Sequence, residues 1–97
     1  MAEKLNETGR AELQAAGWEM VPGRYAVQKS FVFRNFIEAF GWMTKVALHA
    51  EKLNHHPEWS NVYKRVEVVL TTHDADGLTE LDLKLARVMD REYAPRP

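Results

Sequence analysis

The chain has 97 residues, no cysteine and a formal net charge of −1, with 45% hydrophobic and 28% charged residues. These figures fit one globular domain over residues 1–97 and argue against disorder. They exclude disulfides, thiolate nucleophiles and cysteine-ligated zinc, and they supply no general attraction for nucleic acid or acidic membranes.

The N-terminus, MAEKLNETGRAE, lacks the apolar core of a signal peptide. No apolar run approaches the ~20 residues needed to cross a bilayer. A soluble, cytoplasmic protein without a membrane partner or direct nucleic-acid binding is expected.

A first helix is expected over residues 8–16, with Thr8 as N-cap, Leu13 and Ala16 on one side and Gly17 as the stop. Residues 18–21 alternate weakly, Pro22-Gly23 signals a turn, and residues 25–33 place Val27, Phe31 and Phe33 on one face. That pattern predicts a two-stranded hairpin. Asn35 can cap the longest helix, residues 36–53, with an apolar stripe through Phe36, Phe40, Met43, Ala47 and Ala50, widened by Val46 and Leu53. The stripe reads as core or as a subunit contact. Gly41 in its interior costs about 1 kcal/mol relative to alanine, which predicts close packing there.

Pro57 pushes His56 out of the α region and ends the helical pattern. Residues 59–61 and 65–72 then read as strand, and their connection decides where His73 lies. One continuous strand would separate Val62 from Thr72 by roughly 33 Å at ~3.3 Å per residue. A hairpin turning at residues 62–64 would instead fold His73 back beside His55 and His56. Turn chemistry there is weak, with only Asn61 favourable, but the hairpin is preferred because it gathers three histidines. Residues 74–77 form a loop, and Thr79 opens a last helix reaching about Tyr93. Thr79 with Asp82 resembles a capping box, Leu78 and Leu83 a hydrophobic staple, and Leu81, Leu85, Val88 and Met89 the buried stripe. Residues 94–97 are expected to fray. The expected fold is α+β, in the order α-β-β-α-β-β-α, with three helices on one face of a four-stranded antiparallel sheet.

Histidine is the side chain whose unperturbed pKa, roughly 6.5, suits proton transfer near neutrality. His55, His56 and His73 could be proton-transfer groups, metal ligands or incidental surface residues. Adjacent residues in extended backbone diverge, so His55 and His56 suit different duties around a flat ligand better than joint chelation. A zinc site from His73, one of the pair and Glu51 or Asp82 lacks the spacing of helical or finger motifs, and the reading is no metal. Glu51 could orient an imidazole or be a solvated charge. Asp82 could do the same or simply cap its helix. Trp59 and Tyr63 could line a pocket or pack in the core and hairpin. There is no nucleophile-elbow serine and no glycine-rich phosphate loop. The residues alone reach an imidazole acid–base site with no named substrate.

Glu51-x-x-x-His55-His56-Pro57, followed by Tyr63, His73 and Asp82, resembles the signature of pterin-4a-carbinolamine dehydratases. The stretches EKLNHHPEW, TTHDADGLTELD and FRNFIEAFGWMTKVALHAE are similar to that family, and the likeness runs from about Leu13 to Met89. Ser60 stands where an aromatic is frequent, and Lys64-Arg65 where Asn-Lys is commoner.

The resemblance implies removal of water from 4a-hydroxytetrahydropterin to give quinonoid dihydropterin, recycling a tetrahydrobiopterin-type cofactor without a bound cofactor or metal. It implies His55, His56 and His73 as catalytic residues, and His55, His56, Pro57, Thr72, His73, Asp74 and Ala75 as the pterin-binding set. Glu51, Trp59 and Asp82 would support them. A homodimer or homotetramer is implied, and a non-catalytic interaction or coactivator module, or a role in another pterin pathway, is the alternative.

Overall fold

In the computed structural model, which describes residues 3–93, the first helix α1 spans Glu7–Ala15. Asn6 rather than Thr8 is its N-cap, because the Asn6 side-chain oxygen accepts the Gly9 N–H at 2.9 Å. Leu13 is buried while Ala16 is exposed at the C-cap, and Gly17 at φ 94° stops the helix as expected.

Strands β1 (Glu19–Met20) and β2 (Val27–Val32) pair antiparallel, with Glu19 opposite Gln28. Helix α2 occupies Phe36–Leu53, capped by Asn35 through the Glu38 N–H. Strands β3 (Glu58–Val62) and β4 (Arg65–Leu70) form the second hairpin. A short 3-10 turn over His73–Ala75 leads to helix α3, Glu80–Tyr93. The sheet order is β1-β2-β4-β3, all antiparallel, which is the α+β arrangement expected from the chain order. Residues 94–97, expected to fray, lie outside the described residues.

The period of two separates the sheet faces cleanly. Val27, Phe31, Val66, Val68 and Leu70 turn inward and are buried, whereas Ser30, Val32, Arg65 and Glu67 face solvent. Phe31 is the hub of the inner layer. Its ring centroid lies 5.9 Å from Trp18, 4.6 Å from Trp42 and 5.0 Å from Tyr93, which brings α2 and α3 onto the same sheet face.

The inner stripe of α2 is Ala39, Trp42, Val46 and Ala50, with Met43 and Leu53 packed beside it. Of the stripe expected to form core or a subunit contact, Phe36, Phe40 and Ala47 are exposed. Trp42 decides the rotation: its ring fits against Phe31 and Phe33, and its indole N–H donates to the Met89 carbonyl at 3.1 Å. Gly41, expected to be closely packed, has nothing within 4 Å of the position a Cβ would take. In α3 the buried residues are Asp82, Leu83, Leu85, Ala86 and Met89, while Leu81 and Val88 are only half-buried. Leu78 and Leu83 are both buried, as a staple requires.

Among the described residues no helix is long and apolar enough to cross a membrane.

Candidate active site

The site is assembled at the end of the sheet where β3 begins and β4 finishes. Helix α2 closes on Asn54, which adopts the left-handed region at φ 52° and sends its N–H to the Ala50 and Glu51 carbonyls. The His55 N–H follows it back to Ala50 at 3.0 Å, and this reversal carries the His55 ring inward. Pro57 then forces extended backbone, so His56 emerges on the opposite side and Glu58 enters β3. The adjacent histidines part as expected: His55 is buried and His56 exposed.

The β3–β4 hairpin turns at Tyr63-Lys64, with Val62 paired to Arg65 and Tyr63 at φ 51°. Asn61 holds that turn, donating from its side-chain amide to the Tyr63 carbonyl at 3.1 Å and the Arg65 carbonyl at 3.0 Å. Because Glu58 pairs with Val69, the residues just after β4 return to the start of β3. His73 therefore meets Glu58, at 3.4 Å between Nε2 and Oε2, and a strand's length does not separate it from the His-His-Pro segment.

Three imidazoles thus each face a carboxylate through Nε2. His55 Nε2 lies 2.6 Å from Asp82 Oδ1, His56 Nε2 lies 2.8 Å from Glu51 Oε1, and His73 meets Glu58 as above. An ionised carboxylate only accepts, so in the His55 and His56 contacts Nε2 is the donor and Nδ1 is the nitrogen the carboxylate does not engage, whereas His73 and Glu58 stand at ion-pair distance.

The His55 node is the most elaborate. Asp82 is completely buried, and its Oδ2 accepts from the Thr72 hydroxyl at 2.7 Å and the Thr79 N–H at 2.9 Å. The Thr79 hydroxyl donates to Thr72 Oγ1 at 2.8 Å and accepts the Leu81 N–H at 3.2 Å. Asp82 thus caps α3 through the Thr79 N–H and contacts His55 through its other oxygen. Among the described residues no buried side-chain polar atom lacks a partner, as a buried polar network requires.

Pro57 is half-buried between His56 and Glu58. Thr72 spends its N–H on Gly77 at 2.9 Å, and Ala75 spends its own on the Thr72 carbonyl at 3.1 Å. The Trp59 ring lies on the core side, 6.3 Å from Trp42, and Tyr63 is exposed on the hairpin turn. Among the described residues no three histidine or acidic side chains group as metal ligands would, because each carboxylate serves a different imidazole. A groove of about 650 Å³ between α1 and β1, lined in part by Leu13, Trp18, Met20 and Leu78, contains none of these side chains.

Two participants were missed in the sequence. Glu58 follows the His-His-Pro directly, and pairing it opposite the end of β4 would have exposed it as the partner of His73. Arg24 grips Glu58 through both guanidinium nitrogens, each at 2.9 Å, and carries no local signal. The Arg24 hydrogen bonds hold the Glu58 carboxyl below the usual glutamate range, with His73 adding a smaller pull and partial burial opposing both.

The family model described as pterin 4 alpha carbinolamine dehydratase matches residues 3–92. A relative from Roseobacter denitrificans, provisionally named a pterin-4-alpha-carbinolamine dehydratase, is 64% identical over 94 residues, covering 93% of this chain and 96% of its own. A relative from Jannaschia sp. with the same provisional name is 62% identical over 95 residues, covering 94% and 97%. A crystal structure described as a transcriptional coactivator/pterin dehydratase from Brucella melitensis superposes with a TM-score of 0.87 at 49% identity, covering 94% of this chain and 99% of that one.

Proposed function

The chain belongs to the pterin 4 alpha carbinolamine dehydratase family, and from that premise we propose that it removes water from 4a-hydroxytetrahydropterin by histidine acid–base catalysis. The observation that carries this reading is the placement of three carboxylate-held imidazoles at one end of the sheet by the β3–β4 hairpin.

The chemistry sets the requirements. The C4a–O bond breaks as the hydroxyl takes up a proton and leaves as water. N5 loses its proton, and the N5–H electron pair becomes the new C4a=N5 bond of quinonoid dihydropterin. His55 and His73 act as the acid–base pair through Nδ1, while His56 binds and orients the pterin. Positioned groups of this kind contribute on the order of 10²–10⁴-fold. Pro57 and the 72–75 segment complete the pterin contact, with His73 and Asp74 as main-chain donors, because Thr72 and Ala75 use their N–H groups inside the turn. Glu51, Glu58 and Asp82 fix the three tautomers, and Trp59 buttresses β3 from the core side. The product feeds the recycling of a tetrahydrobiopterin-type cofactor. Ultraviolet assay of carbinolamine loss tests the reading: His73→Ala should slow dehydration while the fold persists, and an unchanged rate removes His73 from the mechanism.

The exposed face of α2 favours a second role, assembly into a homodimer or homotetramer. Ile37, Phe40 and Leu48 are 80%, 54% and 70% exposed, and with the open Gly41 they lie on one side of the helix. Such a face suits close approach of the same helix from a second copy. Light scattering should show an oligomer, and Ile37→Asp should reduce its mass. A wild-type monomer would remove this role and leave the face open to a coactivator-type partner. Gly41→Ala sharpens the test: in an isolated helix it gains up to about 1 kcal/mol, whereas at a packed interface it weakens assembly.

A further inference from the structure

Resting on the dehydratase reading, we infer that Arg24 is a positioning residue for the reaction: it clamps Glu58 so that this carboxylate holds the His73 imidazole in one orientation. Nothing in the His-His-Pro, His73 and Asp82 constellation points to it. Arg24 lies 34 residues before Glu58, in the loop between β1 and β2.

The loop is built to hold its place. The Val21 N–H donates to the Ala26 carbonyl at 2.9 Å and the Arg24 N–H to the Val21 carbonyl at 3.1 Å. The Thr71 hydroxyl then donates to the Tyr25 carbonyl at 2.9 Å. This last bond ties the residue after Arg24 to the residue two before His73. Arg24 and His73 are thus linked twice, once through the Thr71 hydroxyl on the Tyr25 carbonyl just past β4 and once through the Glu58 carboxylate.

The two links act on different freedoms. The Thr71 bond places the segment that carries His73. The Glu58 contact addresses the ring, which is otherwise free to rotate because the side chain is 78% exposed. A carboxylate at the start of an edge strand would also rotate if it contacted His73 alone. Bidentate pairing removes that freedom, since the planar fork of arginine donates to both carboxylate oxygens in one plane. Glu58 Oε2 is shared, at 2.9 Å from the arginine and 3.4 Å from the imidazole. Lysine, a point charge, could neutralise Glu58 without fixing its plane.

An exposed ion pair of this kind contributes little to folding, so kinetics can be separated from stability. The test is a double-mutant cycle on the dehydration reaction, with Arg24→Ala, Arg24→Lys, His73→Ala and the two double variants. Misplacing a catalytic group by about 1 Å can cost on the order of 10²-fold, and partial loss of orientation in Arg24→Ala should lower kcat about tenfold. KM should stay within about twofold, and Arg24→Lys should recover only part of the loss. In the His73→Ala background Arg24→Ala should cost nothing further, because its effect passes through the missing ring. An equal loss in both backgrounds overturns the proposal and makes Arg24 a substrate contact or a structural residue, as does full activity in Arg24→Ala. If His73→Ala alone retains the wild-type rate, the acid–base role of His73 fails first, and the positioning role falls with it. Circular dichroism of each variant identifies any that fails to fold, in which case Arg24→Lys carries the cycle.

Discussion

His55 and His56 are neighbours in the chain with the same side chain and the same kind of partner, yet they occupy opposite environments. His55 is buried against a carboxylate with no solvent exposure, itself held by the Thr72 hydroxyl and by the Thr79 N–H at the start of α3. His56 pairs with Glu51 in the open, where both groups remain hydrated. The difference teaches that an imidazole–carboxylate contact has no fixed meaning. In the interior, removing one partner strands polar groups that water cannot reach, so the contact belongs to folding as much as to chemistry. At the surface the same contact orients a ring and contributes little else.

The largest expected effect comes from cutting the buried side of this comparison. Asp82→Ala removes the acceptor of His55, of the Thr72 hydroxyl and of the Thr79 N–H together. It should cost about 3 kcal/mol of stability in urea denaturation, along with most of the activity. Full stability in that variant would show that the node relaxes and would break the contrast. His73→Ala should come next, with dehydration slowed on the order of 10²-fold. Because that side chain is exposed, stability should move by no more than about 0.5 kcal/mol.

His56→Ala should act mainly on binding, raising KM about tenfold with kcat little changed, the pattern of a lost uniform interaction. A matching fall in kcat would move His56 from the orienting role into proton transfer. Glu51→Gln should give the same pattern with a smaller rise.

The smallest effect is in pH. Glu58 and Glu12 are held below the ordinary glutamate value chiefly by hydrogen bonds from Arg24 and Arg87 respectively. A group depressed in the folded state contributes its stabilisation fully above the unfolded value, about 4.3, and loses it as pH falls through the lower folded value. These pairs should therefore leave stability level from neutrality to about pH 5 and add a shallow decline below 4. Arg87→Ala should flatten part of that acid limb in thermal melts without changing dehydration at neutral pH. An unaltered acid limb would show that the Glu12–Arg87 pair forms equally in the unfolded chain.

Much of the architecture was legible because it depends on neighbours in sequence. Asn35 as a cap, Pro22-Gly23 as a turn and the Thr79–Asp82 box each act within a few residues. The alternation in β2 and β4 assigns a face before any partner is known. The His-His-Pro segment marked the candidate site for the same reason, since proline dictates the local path of the backbone.

What needed the tertiary structure were choices between locally equivalent options. Helix α2 is apolar on two sides, so periodicity could not say which side the sheet would cover; Trp42, seated against Phe31 and Phe33, turned Ala39 and Val46 inward and left Phe40 and Leu48 outside. The weak turn at Tyr63-Lys64 was settled by the pairing of β3 with β4, and the hold of Arg24 on Glu58 spans a separation that no local pattern encodes. The sequence by itself determined the elements, their order and the imidazoles, because backbone sterics and capping are short-range. Only the folded chain decided which carboxylate each imidazole would meet, because that depends on register and packing between segments far apart in sequence.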